Sequence, residues 1–299
     1  MFVGDMKTPL LSSLSSSLES ARSIGVAGAK NRVKSLYLKG FLYRRCRSVF
    51  VLSSGRTGTT MLASVLDECP EVKAVHELRP HLYNARREAY DTEGFSNRTL
   101  MERTFSGERM ELFREAVGSE QLVVDASPFL SFFAPALHES LPRSRFIYMH
   151  RDPETFVVSG MRRGWYERHG KDPFRLEPRP GTSTAAKWPD WSRFQKICWL
   201  WSEYNRTCLH CFEQLDSDRR LELPVREFWS EPDRSLRKIL AFIDVPEDNI
   251  DVMLERMKRP ANVQKKRNNI PDPADWPDEW RAQLDEITGE MKDRLGYAR

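Results

Sequence analysis

The segment Gly55–Thr60 has the residue types of an anion-binding turn. It follows a compact apolar run, 48–52, and precedes apolar residues at helical spacing over 61–66. This pattern predicts a strand, a tight turn and a helix. A helix N terminus offers bare N–H groups and a positive dipole end to an anion, glycine allows close approach, and threonine and arginine add donors. The candidate binding residues are Gly55, Arg56, Thr57, Gly58, Thr59 and Thr60.

The turn differs from the phosphate-binding loop of nucleotide kinases. That motif needs four residues between its glycines and a lysine after the second one. Here Gly55 and Gly58 are only three positions apart, and Thr59 follows Gly58. These differences argue against a P-loop-like kinase or NTPase, which is kept as one alternative reading. A non-catalytic nucleotide- or membrane-binding protein is another.

A second motif lies about 95 residues further along the chain. Arg151-Asp152-Pro153 follows an apolar run over 145–150, and Ser159 stands eight residues after the arginine. Together the two motifs resemble those of sulfotransferases that use 3′-phosphoadenosine 5′-phosphosulfate (PAPS), in which the first turn binds the 5′-phosphosulfate and the second motif binds the 3′-phosphate. The arginine at position 56 is similar to that of carbohydrate and bacterial members.

The resemblance extends over roughly 47–297. The segment 124–128 is similar to a family segment that carries a lysine near the acceptor in some members, but Ala126 stands at that position here. The implied activity is transfer of a sulfuryl group from PAPS to an acceptor hydroxyl, with no metal required. We expect a carbohydrate or glycolipid acceptor; a small phenol, another lipid or a peptide tyrosine are alternatives.

Such a transfer depends on positioning and charge stabilisation. Arg56 is the candidate for stabilising charge on the leaving oxygen, and it stays protonated. Glu77 follows the apolar run 72–75, where a strand end faces a ligand in an α/β sheet, and we expect it to be the base. His76 and Asp125 are alternatives. Because successive strand residues point to opposite faces, we expect only one of His76 and Glu77 to face the site.

Other segments could contribute to the site. Lys265, Lys266 and Arg267 form a basic run that closes over the nucleotide in similar proteins, and a solvated surface is the alternative. Arg162 and Arg163 follow Ser159 and could assist. Three tryptophans fall in the region 164–192 and could line an acceptor site, namely Trp165, Trp188 and Trp191. We expect most of the other tryptophans to pack in the core.

The composition limits the class of protein. The chain has 299 residues, 40% of them hydrophobic, with 16 Phe, 8 Trp and 8 Tyr, which is enough for a sizeable core. Apolar runs stay shorter than the roughly 20 residues that span a bilayer, so we expect a soluble chain. Five cysteines are too few and too odd in number for a disulfide framework, which predicts a cytoplasmic location.

The charge is unevenly distributed. Nine Lys or Arg against two carboxylates give residues 1–47 a net charge of +7, which leaves −3 for the rest of a chain whose total is +4. The basic flank predicts a solvated surface or weak contact with a membrane surface or phosphate. Because the remainder is slightly acidic, we expect no nucleic-acid partner.

The elements that must position these residues alternate between strands and helices. Short apolar runs predict strands at 48–52, 72–75, 121–125 and 145–150, and helices are expected over roughly 190–215, 232–243 and 277–295. This order predicts a three-layer α/β sandwich with a central parallel sheet and a P-loop-like phosphate-binding turn. We expect a mobile N-terminal extension, 1–30, and a single domain, 31–299, with a helical insertion at about 84–120 and a loop insertion at about 164–192.

Overall fold

A computed structural model describes residues 40–79, 81–91, 108–167, 175–259 and 270–297. The chain divides into two compact units, 1–45 and 46–299. In the first unit, residues 40–45 are helical; the predicted extension, 1–30, lies outside the described residues. The second unit carries the sheet and both sequence motifs.

The second unit is built on a five-stranded sheet in the order β2-β3-β1-β4-β5, with every neighbouring pair parallel. The middle strand, β1, lies between β3 and β4, and its Ser48 pairs with Ser144 of β4. The strands are β1 (Ser48–Ser53), β2 (Val72–Val75), β3 (Leu122–Asp125), β4 (Ser144–His150) and β5 (Arg220–Pro224).

Besides short 3₁₀ helices, the described residues contain eleven α-helices with defined bounds. They are α1 (Thr59–Leu66), α2 (Tyr83–Asp91), α3 (Glu108–Gly118), α4 (Ala134–Ser140), α5 (Pro153–Arg162), α6 (Ser183–Lys187), α7 (Arg193–Glu213), α8 (Val225–Ser230), α9 (Pro232–Ile243), α10 (Ile250–Met257) and α11 (Asp278–Arg294). The 3₁₀ helices are Pro128–Phe133, Trp188–Asp190, Ser217–Arg219 and Pro273–Asp275.

Helices cover both faces of the sheet. On one face, Val49 and Val51 of β1 pack in a buried cluster with apolar residues of α1, α9 and α10. On the other face, Tyr148 of β4 lies against α7, where its hydroxyl bonds Asn205 Oδ1 at 2.8 Å and its ring centroid is 5.5 Å from that of Phe212. A strand buried on both faces is apolar throughout, which is why β1 was visible in the sequence. The predicted three-layer α/β sandwich with a parallel sheet is confirmed.

Two parts of the organisation differ from the sequence-based expectation. Strand β5 was not predicted, because a single alternating stretch of five residues between charged neighbours is a weak signal. The expected loop at 164–192 contains α6 and the 3₁₀ helix Trp188–Asp190. The start of α6 is capped by the Thr182 hydroxyl, which accepts from the N–H of Ala185. None of the described helices combines the length and the apolar composition that a membrane span requires.

A close contact between α5 and α7 gives a test of this packing. A methyl group added at Gly160 would lie 2.6 Å from Trp165 Cε3 and 2.8 Å from Ile197 Cγ2, whereas Gly289 of α11 has open space around it. We expect Gly160→Ala to lower the free energy of unfolding by about 2 kcal/mol through overpacking. Gly289→Ala, the matched control, should stabilise by up to about 1 kcal/mol through helix propensity. Denaturant unfolding measures both; equal effects would contradict the packing.

Candidate active site

A cavity of about 650 Å³ opens at the carboxyl ends of the strands. Segments that follow each of the five strands line it, as expected for a ligand site in a parallel α/β sheet. The segment after β1 contributes five residues of the turn Gly55–Thr60, and the segments after β2 to β5 contribute one or two residues each. The lining residues at the strand ends include Gly55, Arg56, Gly58, Thr59, Thr60, His76, Glu77, Pro128, Phe129, Arg151, Val225 and Trp229.

The turn between β1 and α1 has an unusual backbone. Gly55, Arg56 and Gly58 have φ angles of 79°, 60° and 87°, a region that glycine enters freely and arginine enters at a cost. Gly58 is the N-cap of α1 and no side chain caps that end of this helix. The first N–H groups of α1 thus remain available to an anion.

Hydrogen bonds beneath the turn hold this backbone. The Ser53 hydroxyl accepts from the Gly55 N–H at 2.9 Å and shares a 2.5 Å hydrogen bond with the Thr57 hydroxyl. Ser131 Oγ accepts from the Ser53 N–H at 2.9 Å. Thr57 is fully buried, so its side chain supports the turn from within, whereas the other five predicted turn residues line the cavity.

The second motif sets the start of α5. Asp152 is the N-cap, its side chain accepts from the Thr155 N–H at 2.7 Å, and Pro153 occupies the first turn, where its fixed φ suits a helix. Arg151 therefore remains outside the helix, in the turn after β4, with Nε donating to Thr155 Oγ1 at 2.9 Å. In the Arg-Asp-Pro motif, the aspartate and the proline therefore start the helix, and the arginine is left to line the cavity.

Two hydrogen bonds join the motifs. Arg151 Nη1 donates to the carbonyl oxygen of Arg56 at 2.5 Å, and Arg56 Nε donates to Ser159 Oγ at 3.1 Å. Burial, with the nearby charges of Arg163 and Arg151, lowers the pKa of Arg56 to about 10 despite the opposing effect of Glu77. Arg56 therefore stays charged at neutral pH in a strongly cationic surrounding.

A hydrogen-bonded group that the sequence did not reveal fixes the end of β4 beside Arg151. His150, which is 1% exposed, bonds Tyr297 Oη through Nδ1 at 2.8 Å and Glu222 Oε1 through Nε2 at 2.9 Å. The hydrogen bond from His150 lowers the pKa of Glu222, against the effect of burial. Trp201 Nε1 donates to the Arg151 carbonyl at 2.9 Å. These contacts come from three distant segments, which sequence spacing does not relate.

His76 and Glu77 both line the cavity, so the expectation that only one would face it is wrong. The strand ends at Val75 and Glu77 has a φ of 51°, so strand alternation no longer applies. His76 Nδ1 lies 2.9 Å from the Ala126 carbonyl oxygen, which can only accept, so Nδ1 carries the proton. Its Nε2 lies 3.7 Å from Glu77 Oε1, and the Glu77 side chain is 39% exposed.

Asp125 is placed differently from the other two base candidates. It is 1% exposed and Arg109 Nε donates to its Oδ2 at 3.1 Å, in an ion pair that is buried on both sides. Its Oδ1 accepts from the Ser127 N–H at 3.1 Å. Asp125 does not line the cavity. The arrangement therefore suits a carboxylate that supports the strand end.

Further lining residues come from α2, from Arg163 directly after α5, from α7 and from the region 164–192. Among the described residues the lining includes five arginines and one carboxylate, that of Glu77. The arginines are Arg56, Arg86, Arg151, Arg163 and Arg175. Arg86 Nη1 donates to Tyr204 Oη at 2.6 Å, and Arg175 Cζ lies 4.5 Å from the centroid of the Trp165 ring.

The tryptophans divide between the cavity and the packing around it. Trp165 lines the cavity, whereas Trp188 packs on Trp191 with ring centroids 5.9 Å apart, and neither of these two lines it. Most of the other tryptophans were expected in the core, but Trp229 is 47% exposed and its Cζ2 lies 3.5 Å from where a Cβ on Gly58 would be. Trp229, Arg151 and Val225 also line an adjacent cavity of about 500 Å³ that reaches Tyr297.

The predicted basic run Lys265, Lys266 and Arg267 lies outside the described residues. In the described part of the chain, His, Cys, Asp and Glu side chains form no group of three that could hold a metal ion. The five cysteines, all within described segments, are free and buried.

The chain is similar in sequence and in fold to known sulfotransferases. A family model described as "Sulfotransferase family" matches residues 48–249. The chain is 22% identical over 277 residues to Protein-tyrosine sulfotransferase A of Caenorhabditis elegans, which covers 83% of this chain and 67% of that protein. The fold is similar to the sulfotransferase domain from the curacin biosynthetic pathway, with a TM-score of 0.53 and 15% identity over 85% of this chain and 99% of that one.

Because the family model spans more than half of the chain, the chain belongs to the sulfotransferase family. It is a PAPS-dependent sulfotransferase. The resemblance inferred from the two motifs is confirmed, and neither the kinase or NTPase alternative nor the non-catalytic one is favoured.

Proposed function

We propose that the chain transfers the sulfuryl group of PAPS to a hydroxyl of a carbohydrate or glycolipid acceptor, with Glu77 as general base. The observation that carries this proposal is the single cavity in which the open turn Gly55–Thr60, Arg151 and Glu77 meet. The turn would bind the 5′-phosphosulfate through backbone N–H groups, and Arg151 with Ser159 would bind the 3′-phosphate through charge-assisted hydrogen bonds.

The adenosine would occupy the adjacent cavity, with its base against Trp229. That ring is exposed and lies beside the turn, and it borders both cavities together with Arg151 and Val225. A flat aromatic face suits stacking with a purine. This placement lets one nucleotide reach both the turn and Arg151.

In the reaction, the acceptor oxygen attacks sulfur in line with the bond to the bridging oxygen of the phosphosulfate. The new O–S bond forms, the old one breaks, and the hydroxyl proton passes to the Glu77 carboxylate. Arg56 stabilises the charge that develops on the leaving phosphate oxygen and keeps its own proton. Adenosine 3′,5′-bisphosphate (PAP) and the sulfated acceptor are the products.

The walls of the cavity support an acceptor with flat or apolar surfaces beside its hydroxyl. Tyr83, Phe129, Trp165 and Tyr204 contribute aromatic groups, which can pack on sugar rings or lipid skeletons. The cytoplasmic location, the absence of a metal requirement and any membrane-surface contact of the basic flank stay predictions from the sequence.

Ligand-dependent thermal stability tests the nucleotide assignment. With EDTA present, PAP at about 100 times its dissociation constant should stabilise the protein by about 2.7 kcal/mol, which raises Tm by several degrees. Stabilisation by ATP with Mg²⁺ but not by PAP would instead support a kinase or NTPase, and stabilisation only by anionic liposomes would support a membrane-binding protein.

The base assignment has a kinetic test, once an acceptor is identified by transfer of labelled sulfate from PAPS to carbohydrates, lipids, phenols and tyrosine peptides. Because the glutamine amide cannot accept the proton, Glu77→Gln should lower kcat by about 10²- to 10⁴-fold. The affinity for PAP should change little. His76→Gln is the neighbouring control. A near-normal kcat for Glu77→Gln together with a large loss for His76→Gln would transfer the role to His76.

A further inference from the structure

Arg163 lies at the end of α5 on a turn whose backbone is held tightly. Its N–H and that of Trp165 both donate to the Gly160 carbonyl oxygen at 3.2 Å. Arg193 Nε donates to the Trp165 carbonyl oxygen at 2.8 Å, and the lack of a Cβ at Gly160 allows the Trp165 ring to pack against α5. The position from which the Arg163 side chain enters the cavity is therefore fixed in advance of any ligand.

Arg163 lines the same cavity as Arg56 and Glu77. Its Nε is buried and has no hydrogen-bond partner within the described residues. Burial lowers the pKa of Arg163, and the nearby Glu77 carboxylate opposes that shift. A desolvated donor without a partner costs free energy, which a bound anion would offset.

The neighbouring Arg162 provides a contrast. Its Nε is also without a partner in the described structure, but its Nη2 pairs with Asp272 Oδ1 at 3.1 Å, and the residue does not line the cavity. Of these two adjacent arginines, Arg163 lines the cavity and Arg162 does not.

The charges around Arg163 indicate which part of the substrate it meets. It interacts electrostatically with both Arg56 and Glu77, that is, with the residue proposed for the leaving oxygen and the residue proposed for the attacking hydroxyl. The group that passes between these two points is the sulfuryl group. The segment after β3 that also faces this region, Ala126–Phe129, carries no charge.

We propose that Arg163 is a third catalytic arginine, which binds the non-bridging sulfuryl oxygens of PAPS from the side of the acceptor. This inference rests on the proposed function. The forked guanidinium contacts two of those oxygens and holds the sulfur in line with the acceptor hydroxyl. Arg163 stays protonated throughout, while the S–O bond to the phosphate breaks, the bond to the acceptor forms and Glu77 takes the proton.

Binding of PAPS and PAP without acceptor separates this role from nucleotide binding, because only PAPS carries the sulfuryl group. By calorimetry, Arg163→Ala should weaken PAPS binding about 10-fold or more and leave PAP binding within about 2-fold. Arg162→Ala should leave both affinities unchanged, and Arg151→Ala should weaken both. Arg163→Lys, which keeps the charge without the fork, should show an intermediate loss for PAPS, and it serves as the test variant if Arg163→Ala does not fold.

Retained PAP affinity also reports that the variant is folded. Equal weakening of PAPS and PAP, or unchanged PAPS affinity in both Arg163 variants, would overturn the assignment while leaving the proposed function intact. A wild-type protein that binds neither nucleotide would overturn the proposed function and this inference together.

Discussion

The site depends on the hydrogen-bonded cross-link that joins Arg56 to the β4–α5 turn and to α5. The carbonyl oxygen of Arg56 accepts from Arg151, and its guanidinium donates to Ser159. These bonds join segments 95 and 103 residues apart and hold Arg56 in a left-handed backbone conformation. Because that conformation directs the N–H groups of the turn, a contact made far away in the sequence determines the shape of the anion site. The same two motifs that would bind the phosphates also hold each other.

The parallel sheet supplies the frame for this cross-link. Each strand ends at the same edge, so five short segments meet in one cavity. The resulting charge is local: five arginines and one carboxylate line the described cavity, although the chain beyond residue 47 has a net charge of −3. A few placed guanidinium groups, rather than a generally basic surface, meet an anionic substrate. Their mutual repulsion and burial are costs that the bound anion relieves.

Much of the framework could be predicted from the sequence, because β1 to β4 are short, largely apolar runs followed by polar turns. The turn at Gly55 and the Arg-Asp-Pro motif are local patterns with local causes, namely positive φ angles and a helix cap. The features that were missed depend on tertiary structure. Strand β5 has one short alternating stretch, Trp229 reaches the cavity only because β5 lies beside β4, and His76 and Glu77 share a face because the strand stops before them. Spacing alone also could not separate Arg163 from Arg162, since the difference lies in which neighbour each side chain meets.

The central claim is that one nucleotide spans both motifs, and a crystal structure of the protein with PAP tests it most directly. The account predicts the 5′-phosphate within hydrogen-bond distance of the N–H groups of the turn Gly55–Thr60, and the 3′-phosphate on the guanidinium of Arg151 and the hydroxyl of Ser159. A complex in which the two phosphates lie elsewhere, or in which only one motif contacts the nucleotide, would contradict it.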